Sequence, residues 1–221
     1  MGKLLRFDDA HYIHFITTRT RHGISYFKKE RNCLILLKVI QELRQGLHFK
    51  LLGYVIMPDH LYCLIESDIK GDYSISYIMM RIKGYSARII NLAEAETSAK
   101  REVDHQWSAE AEQGVDHNCL GEGSKAETSA KREVDHQWSA EAEQGVDHNC
   151  LGEGSASPYH NIWQKSFYDI SIFSEKFLEQ KLTYIHNNPI RAGLVQDLAD
   201  YPWSSYQNYY MDNNSFIEID Y

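Results

Sequence analysis

Two stretches of this 221-residue chain place reactive side chains at telling intervals. In "YVIMPDHLYCLIE" (54–66) an apolar run breaks at Met57-Pro58-Asp59 and resumes with His60, Leu61 and Tyr62. In a strand, residues i and i+2 point to the same face, so an imidazole and a phenol project together there, with Leu64 and Glu66 further along the row. Leu61, Cys63 and Ile65 face the other way and read as core. In the second stretch, Phe177, Lys181, Tyr184 and Asn188 are spaced to share one face of a helix, and Leu178, Leu182 and Ile185 lie opposite them. An imidazole can hold a metal ion or move a proton. A tyrosine, with an ordinary pKa near 10, is a weak nucleophile that gains from activation. Taken singly, each residue has a plainer reading: a hydrogen-bonded histidine, an interfacial aromatic, an asparagine at a helix stop before Pro189.

The elements that must position these residues are legible from periodicity. "HYIHFITTR" (11–19) alternates and reads as a strand, and "NCLILLKVIQELRQGL" (32–47) carries Leu36, Val39, Ile40, Leu43 and Leu47 on one helical face. "KLLGYVIM" (50–57) and "HLYCLIE" (60–66) are two strands around a short Pro-Asp turn. "SISYIMMRIKGYSARIINL" (74–92) is a helix with Ile75, Ile78, Met79, Ile82 and Ile89 on one side; Arg81, Tyr85 and Arg88 share another, with Lys83 nearby. "SFYDISIF" (166–173) is a fourth strand. Ser174 is then the N-cap of a helix that Pro189 stops at Asn187 or Asn188. This order predicts an α+β fold: a ferredoxin-like antiparallel sheet with helices on one face, plus a C-terminal helix that carries Tyr184.

One segment stands outside this pattern. "AETSAKREVDHQWSAEAEQGVDHNCLGEGS" occupies 95–124 and recurs letter for letter at 126–155. Each copy holds seven acidic and two basic residues, so removing both leaves 17 acidic against 19 basic and turns the net charge from −8 to +2. The acidity belongs to the duplication. Its composition cannot bury enough apolar surface to offset the entropy of ordering, which predicts a disordered insertion over 95–157 in a single domain of 1–94 and 158–221. Its "VDHNC" has no spacing typical of a zinc site. The four cysteines form no CxxC pair, and no apolar run approaches the roughly 20 residues of a membrane span. A cytoplasmic protein with no membrane partner, monomeric or homodimeric, is the expectation.

Four blocks, "VIMPDHLYCLI", "NIWQKSFYD", "YIHNNPIRAGLV" and "DYPWSSY", occur in the order and context of the REP-associated tyrosine transposases. These are relatives of the IS200-like, single-tyrosine transposases of small insertion sequences. The chain resembles that family over nearly its whole length outside the insertion. The resemblance implies a ferredoxin-like domain in which a His-hydrophobic-His motif holds a divalent metal, Mg²⁺ or Mn²⁺. It also implies a helix tyrosine that attacks a phosphodiester of single-stranded or hairpin DNA, leaving a 5′-phosphotyrosine link and a free 3′-hydroxyl. Carried over by position, His60 is the first metal-binding histidine and Tyr184 the nucleophile. Asn188 is placed to complete the metal shell, and Lys83 matches a lysine in the helix after the motif. Arg81, Lys83, Arg88 and Lys181 are the expected phosphate contacts.

The second motif histidine falls at Tyr62, which therefore occupies a metal-ligand position with a poorer ligand. Glu66, or His11 or His14 of the first strand, are the side chains left to fill the shell beside His60 and Asn188. Two functions of different class follow from the resemblance: an enzyme that cleaves and rejoins single-stranded DNA, or a hairpin-binding protein that keeps the fold without the chemistry. An RNA-binding ferredoxin-like module would need paired aromatics in an RNP-like pattern, which the sequence lacks.

Overall fold

A computed structural model describes residues 13–67, 73–112, 162–214 and 216–220, over 99–112 as backbone alone. Two compact units divide the chain: residues 1–96 with 159–221, and residues 97–158. In the first unit the strands are β1 (Ile13–Arg19), β2 (Phe49–Met57), β3 (His60–Ser67) and β4 (Tyr168–Ile172). The long helices are α1 (Glu30–Leu47), α2 (Ile75–Glu112) and α3 (Glu175–Arg191); a short α4 follows at Tyr206–Met211. The sheet runs in the order β2-β3-β1-β4, and every paired neighbour is antiparallel. This is the ferredoxin-like arrangement that the order of elements predicted.

Alternation along β3 sorts the interior into two cores. Leu61, Cys63 and Ile65 join Ile16 of β1 and the apolar faces of α1 and α2. Tyr62 and Leu64 join Phe15, Val55, Met57 and Ile172 on the other face, which α3 covers with Leu178, Leu182 and Ile185. The tyrosine helix thus lies on the opposite side of the sheet from α1 and α2. Each fully buried Leu or Ile in these layers stabilises the fold by about 2 kcal/mol relative to exposure.

A bulge in β2 lets α3 approach. The register against β3 slips between Leu51 and Gly53, so Leu51 packs with the α1/α2 core while Leu52 packs with the α3 core. Gly53 then faces α3, where a Cβ would stand 2.7 Å from Leu182 Cδ1. Glycine at a bulge commonly marks such a close approach. The free edge of β2 is sealed by the C-terminal stretch: Ile56 N bonds Trp203 O (2.9 Å), Ser205 N bonds Tyr54 O (2.9 Å) and Asp220 N bonds Leu51 O (2.9 Å). "DYPWSSY" therefore protects a sheet edge that would otherwise invite pairing with another chain.

Element ends differ from the expectation in two helices. Ser174 caps α3 as expected, its Oγ accepting from Phe177 N at 3.3 Å. Pro189 does not stop the helix, however; α3 continues to Arg191 with the proline inside it. The side-chain amides of Asn187 and Asn188 donate to the Thr183 and Tyr184 carbonyls around the proline (2.9 and 2.8 Å). The turn ends instead at Gly193, whose φ of +68° suits glycine. Helix α2 runs to Glu112, into the first copy of the duplicated segment, whose Ala, Glu, Lys and Arg content favours helix. Residues 113–161, which include the rest of the insertion expected to be disordered over 95–157, lie outside the described residues, as do Cys119 and Cys150. In α2 it is Ile90, not Ile89, that is fully buried, on a stripe with Ile82 and with Ser86, whose Oγ accepts from Trp163 Nε1 at 2.9 Å.

His186, inside "YIHNNP", is a packing residue. Its Nε2 meets Ser205 Oγ at 2.9 Å, which ties α3 to the edge of β2, and burial lowers its pKa from 6.5 to about 4. Above pH 6.5 the ring is neutral folded or unfolded. As pH falls below 6.5 only the unfolded chain takes up the proton, so folding stability drops progressively towards pH 4, by an amount on the order of 3 kcal/mol. Urea midpoints measured between pH 7 and pH 4 should show this slope, and His186→Gln should flatten it. At the bulge, Gly53→Val should lower the unfolding free energy by about 1–3 kcal/mol at pH 7 because Leu182 must move.

Candidate functional site

The site forms where α3 crosses the end of β3 nearest the Pro58-Asp59 turn. His60 opens β3, and its Nδ1 lies 2.6 Å from Asp59 Oδ1. With that proton held by the carboxylate, Nε2 is the ring's available lone pair. Tyr62, two residues on and on the same face, meets His60 edge to face with ring centroids 5.0 Å apart. Above it stands Tyr184 of α3, ring to ring at 5.6 Å and nearly perpendicular. The Tyr62 and Tyr184 hydroxyls are 3.3 Å apart, within a weak hydrogen bond. Phe15 of β1 stacks on Tyr62 and touches Tyr184 edge-on, giving both rings a fixed floor.

Cations flank the upper tyrosine. Lys181 Nζ is 4.6 Å from the Phe15 ring centroid, 5.1 Å from Phe177 and 6.0 Å from Tyr184, and Arg191 Cζ is 5.4 Å from the Tyr184 ring. Both belong to the helical stripe of Tyr184, three residues before it and seven after. Arg191 was absent from the expected phosphate contacts, although its spacing on that stripe was readable. Burial, then the hydrogen bond that the Tyr62 hydroxyl shares with Tyr184, push the Tyr62 phenol up to about 12; the nearby Arg19 charge opposes this. Tyr62 therefore remains a neutral phenol throughout the physiological range.

The other expected residues are dispersed. Arg81, Lys83 and Arg88 sit on α2, whose apolar side packs in the core on the far face of the sheet from Tyr184. Arg81 bonds the Tyr85 hydroxyl and lies over its ring at 4.6 Å. Lys83 donates to the carbonyls of Gln164 and Ser166, holding the segment that enters β4. Asn188 donates its amide nitrogen to the Tyr184 carbonyl, one turn back, which leaves its side-chain oxygen as the atom able to face a cation.

The residues present do not fit the divalent ion that the family resemblance implies. Among the described residues no three His, Cys, Asp or Glu side chains converge in a way that could hold a metal. His60 offers one nitrogen and Tyr62 a neutral phenol. Glu66 pairs with Lys50 at 3.2 Å and stands six residues along the strand from His60, about 20 Å away at strand rise. His14 faces the opposite core and is paired with Asp169 at 3.0 Å, both side chains almost fully buried. His11 lies outside the described residues. Neither Glu66 nor His14 can complete a shell at His60.

Residues 8–110 match the family described as "Transposase IS200 like". A REP-associated tyrosine transposase of Haemophilus influenzae is 40% identical over 45 residues, which is 20% of this chain; the match spans 26% of that protein's length. A solved REP-associated tyrosine transposase bound to a REP hairpin superposes with a TM-score of 0.49 at 18% identity, over 100% of this chain and 91% of that one. A transposase from Deinococcus radiodurans superposes at 0.38 with 15% identity, over 85% of this chain and 97% of that one. Both structural scores fall below one half, so the family reading rests on the sequence match.

The donor geometry yields a test on the protein alone. Tyr62→His places a second imidazole beside His60 on the same strand face. It should raise Mn²⁺ affinity at least about tenfold by calorimetric titration, with Mn²⁺ preferred over Mg²⁺ because imidazole suits the softer ion. An unchanged affinity would show that Tyr62 is not what weakens the site.

Proposed function

From the match of residues 8–110 to the IS200-like transposases, we propose that this chain binds single-stranded or hairpin DNA and cleaves and rejoins it through Tyr184. The observation that carries the reading is the setting of that residue. Its hydroxyl is held 3.3 Å from a second hydroxyl, and its ring lies between Lys181 and Arg191, two cations suited to a phosphate. Tyr184 Oη attacks phosphorus, the bond to the 3′ oxygen breaks, and the phenolic proton passes through solvent to the departing 3′-hydroxyl. The products are a 5′-phosphotyrosine link and a free 3′ end. Because the link keeps the phosphodiester energy, attack by another 3′-hydroxyl reverses the step without ATP.

Within this arrangement Lys181 and Arg191 bind and orient the phosphate. Phe15 and Tyr62 fix the nucleophile's ring. The divalent ion expected from the resemblance, Mg²⁺ or Mn²⁺, finds one imidazole where two are needed, so no step is assigned to it. Tyr62 in the place of the second histidine favours a second reading: a hairpin-binding protein of the same fold whose strand cleavage is impaired.

Incubation with labelled hairpin DNA, followed by denaturing electrophoresis, separates the two. Under the first reading a covalent protein–DNA adduct forms. Tyr184→Phe should abolish it while leaving binding nearly intact, and Tyr62→His should increase it in Mn²⁺. Binding without adduct in the wild type, with adduct gained in Tyr62→His, would establish the second reading. Binding itself should weaken between 50 and 200 mM salt, as counterion release requires. Adduct that survives in Tyr62→His/Tyr184→Phe would remove Tyr184 from the role of nucleophile.

A further inference from the structure

The phosphodiester that meets Tyr184 carries one negative charge, and attack by a phenolic oxygen brings a second to the same group. A divalent ion is one way to match that charge and orient the oxygens. The donor set here is a poor seat for one. His60 offers a single nitrogen, because its other ring nitrogen is held by Asp59 at 2.6 Å. The two nitrogens of an imidazole point away from each other, so that carboxylate cannot reach the same ion. The Tyr62 hydroxyl is engaged with Tyr184 at 3.3 Å, and Asn188 has its oxygen alone to give.

Helix α3 carries positive charge of its own to the same place. Lys181 and Arg191 are separated by about 15 Å along the helix axis at the α-helical rise, yet both heads lean towards the ring of Tyr184. The Lys181 ammonium stands among three rings, 4.6 Å from the centroid of Phe15, 5.1 Å from Phe177 and 6.0 Å from Tyr184. Aromatic faces attract a cation without neutralising it, so the charge is fixed in position and undiminished. The Arg191 guanidinium is 5.4 Å from the Tyr184 ring, on the exposed last turn of α3, where the helix dipole also favours a cation. Neither side chain forms an ion pair with any described residue.

We infer that Lys181 and Arg191 take the place of the divalent ion, and that strand cleavage by this chain needs no metal. The inference rests on the cleavage through Tyr184 proposed above. Together the two side chains bring the same charge as one dication. The ammonium acts as a point charge, and the guanidinium is a planar fork able to hold two phosphate oxygens at once. Both are in position before reaction, so they stabilise the growing charge without reorganising. They act as charges alone. The bond from Tyr184 Oη to phosphorus forms, the bond to the 3′ oxygen breaks, and the phenolic proton passes through solvent to that oxygen. Neither cation gains or loses a proton. Tyr62 suits such a site, since its hydroxyl holds the attacking hydroxyl where a metal ligand is not required.

The test is adduct formation by the full chain on a pool of labelled DNA hairpins with randomised single-stranded flanks. It is run in EDTA, in Mg²⁺ and in Mn²⁺, with binding followed by fluorescence anisotropy in the same buffers. Wild type should form adduct in all three at rates within about threefold, the spread that screening by the added ions leaves. Arg191→Ala should slow the adduct about a hundredfold in EDTA, as loss of one preorganised charge contact does, with hairpin affinity changed far less. Arg191→Lys should fall between, since it keeps the charge and loses the fork. Adduct that forms in Mg²⁺ or Mn²⁺ and vanishes in EDTA overturns the inference and leaves Tyr184 as the nucleophile. Equal losses of rate and affinity in Arg191→Ala would make Arg191 a binding contact and overturn its substitution for the ion. Hairpin binding with no adduct in any buffer overturns the cleavage reading, and the inference falls with it.

Discussion

The central strand β3 is buried on both faces, and the rest of the fold answers to that constraint. Strand periodicity forces neighbouring residues to opposite sides, so His60-Leu61-Tyr62-Cys63-Leu64-Ile65 must satisfy two separate interiors at once. A slip of one residue would put His60 and Tyr62 under α1 and α2 and would expose Leu61, Cys63 and Ile65 to α3. The register is therefore strongly specified, and it delivers His60 and Tyr62 to the side where Tyr184 arrives. The same residues that make the sheet fold also aim the site.

The second face exists because α3 can come close. Gly53 at the β2 bulge admits Leu182, and His186 on the same helix reaches Ser205 in the segment that seals the β2 edge. Ser205 Oγ also meets the backbone of Tyr54 in β2, accepting from its N–H at 3.0 Å. Helix, edge cover and strand are thus tied at one point, and the aromatic rings of Tyr206, Tyr209 and Tyr210 close around His186. The role proposed for Tyr184 needs a fixed ring, and this joint lies two residues from it.

Tyr62 changes what that rigid site contains. A histidine there would offer a nitrogen to a metal ion; the phenol offers a hydroxyl to Tyr184 and a ring to Phe15. Tyr62 is 8% exposed and belongs to the core under α3, so its ring serves packing. Positive charge near Tyr184 comes instead from Lys181 and Arg191 on its own helix, with Arg19 one strand beyond Tyr62.

The sequence by itself determined the four strands and the three long helices, their order, and the faces within each. Strand and helix periods are local, so the common face of His60 and Tyr62, and the stripe from Phe177 to Asn188, could be read from spacing alone. The Ser174 cap was equally local. Which stripes meet is a long-range matter, and only the tertiary structure decided it. No periodicity says that Tyr184 settles on Tyr62, 122 positions away, or that α2 turns Arg81, Lys83 and Arg88 to the other side of the sheet. The β2 bulge escaped a reading of "KLLGYVIM" as a plain strand, because a bulge depends on what packs against it. Pro189 looked like a stop because its missing N–H is local, whereas the packing of α3 on the sheet, which the helix keeps through Pro189, is a long-range matter. His14 and Glu66 looked available as ligands because residue type is visible in sequence, but the face of the sheet and the distance along a strand set whether such groups can converge.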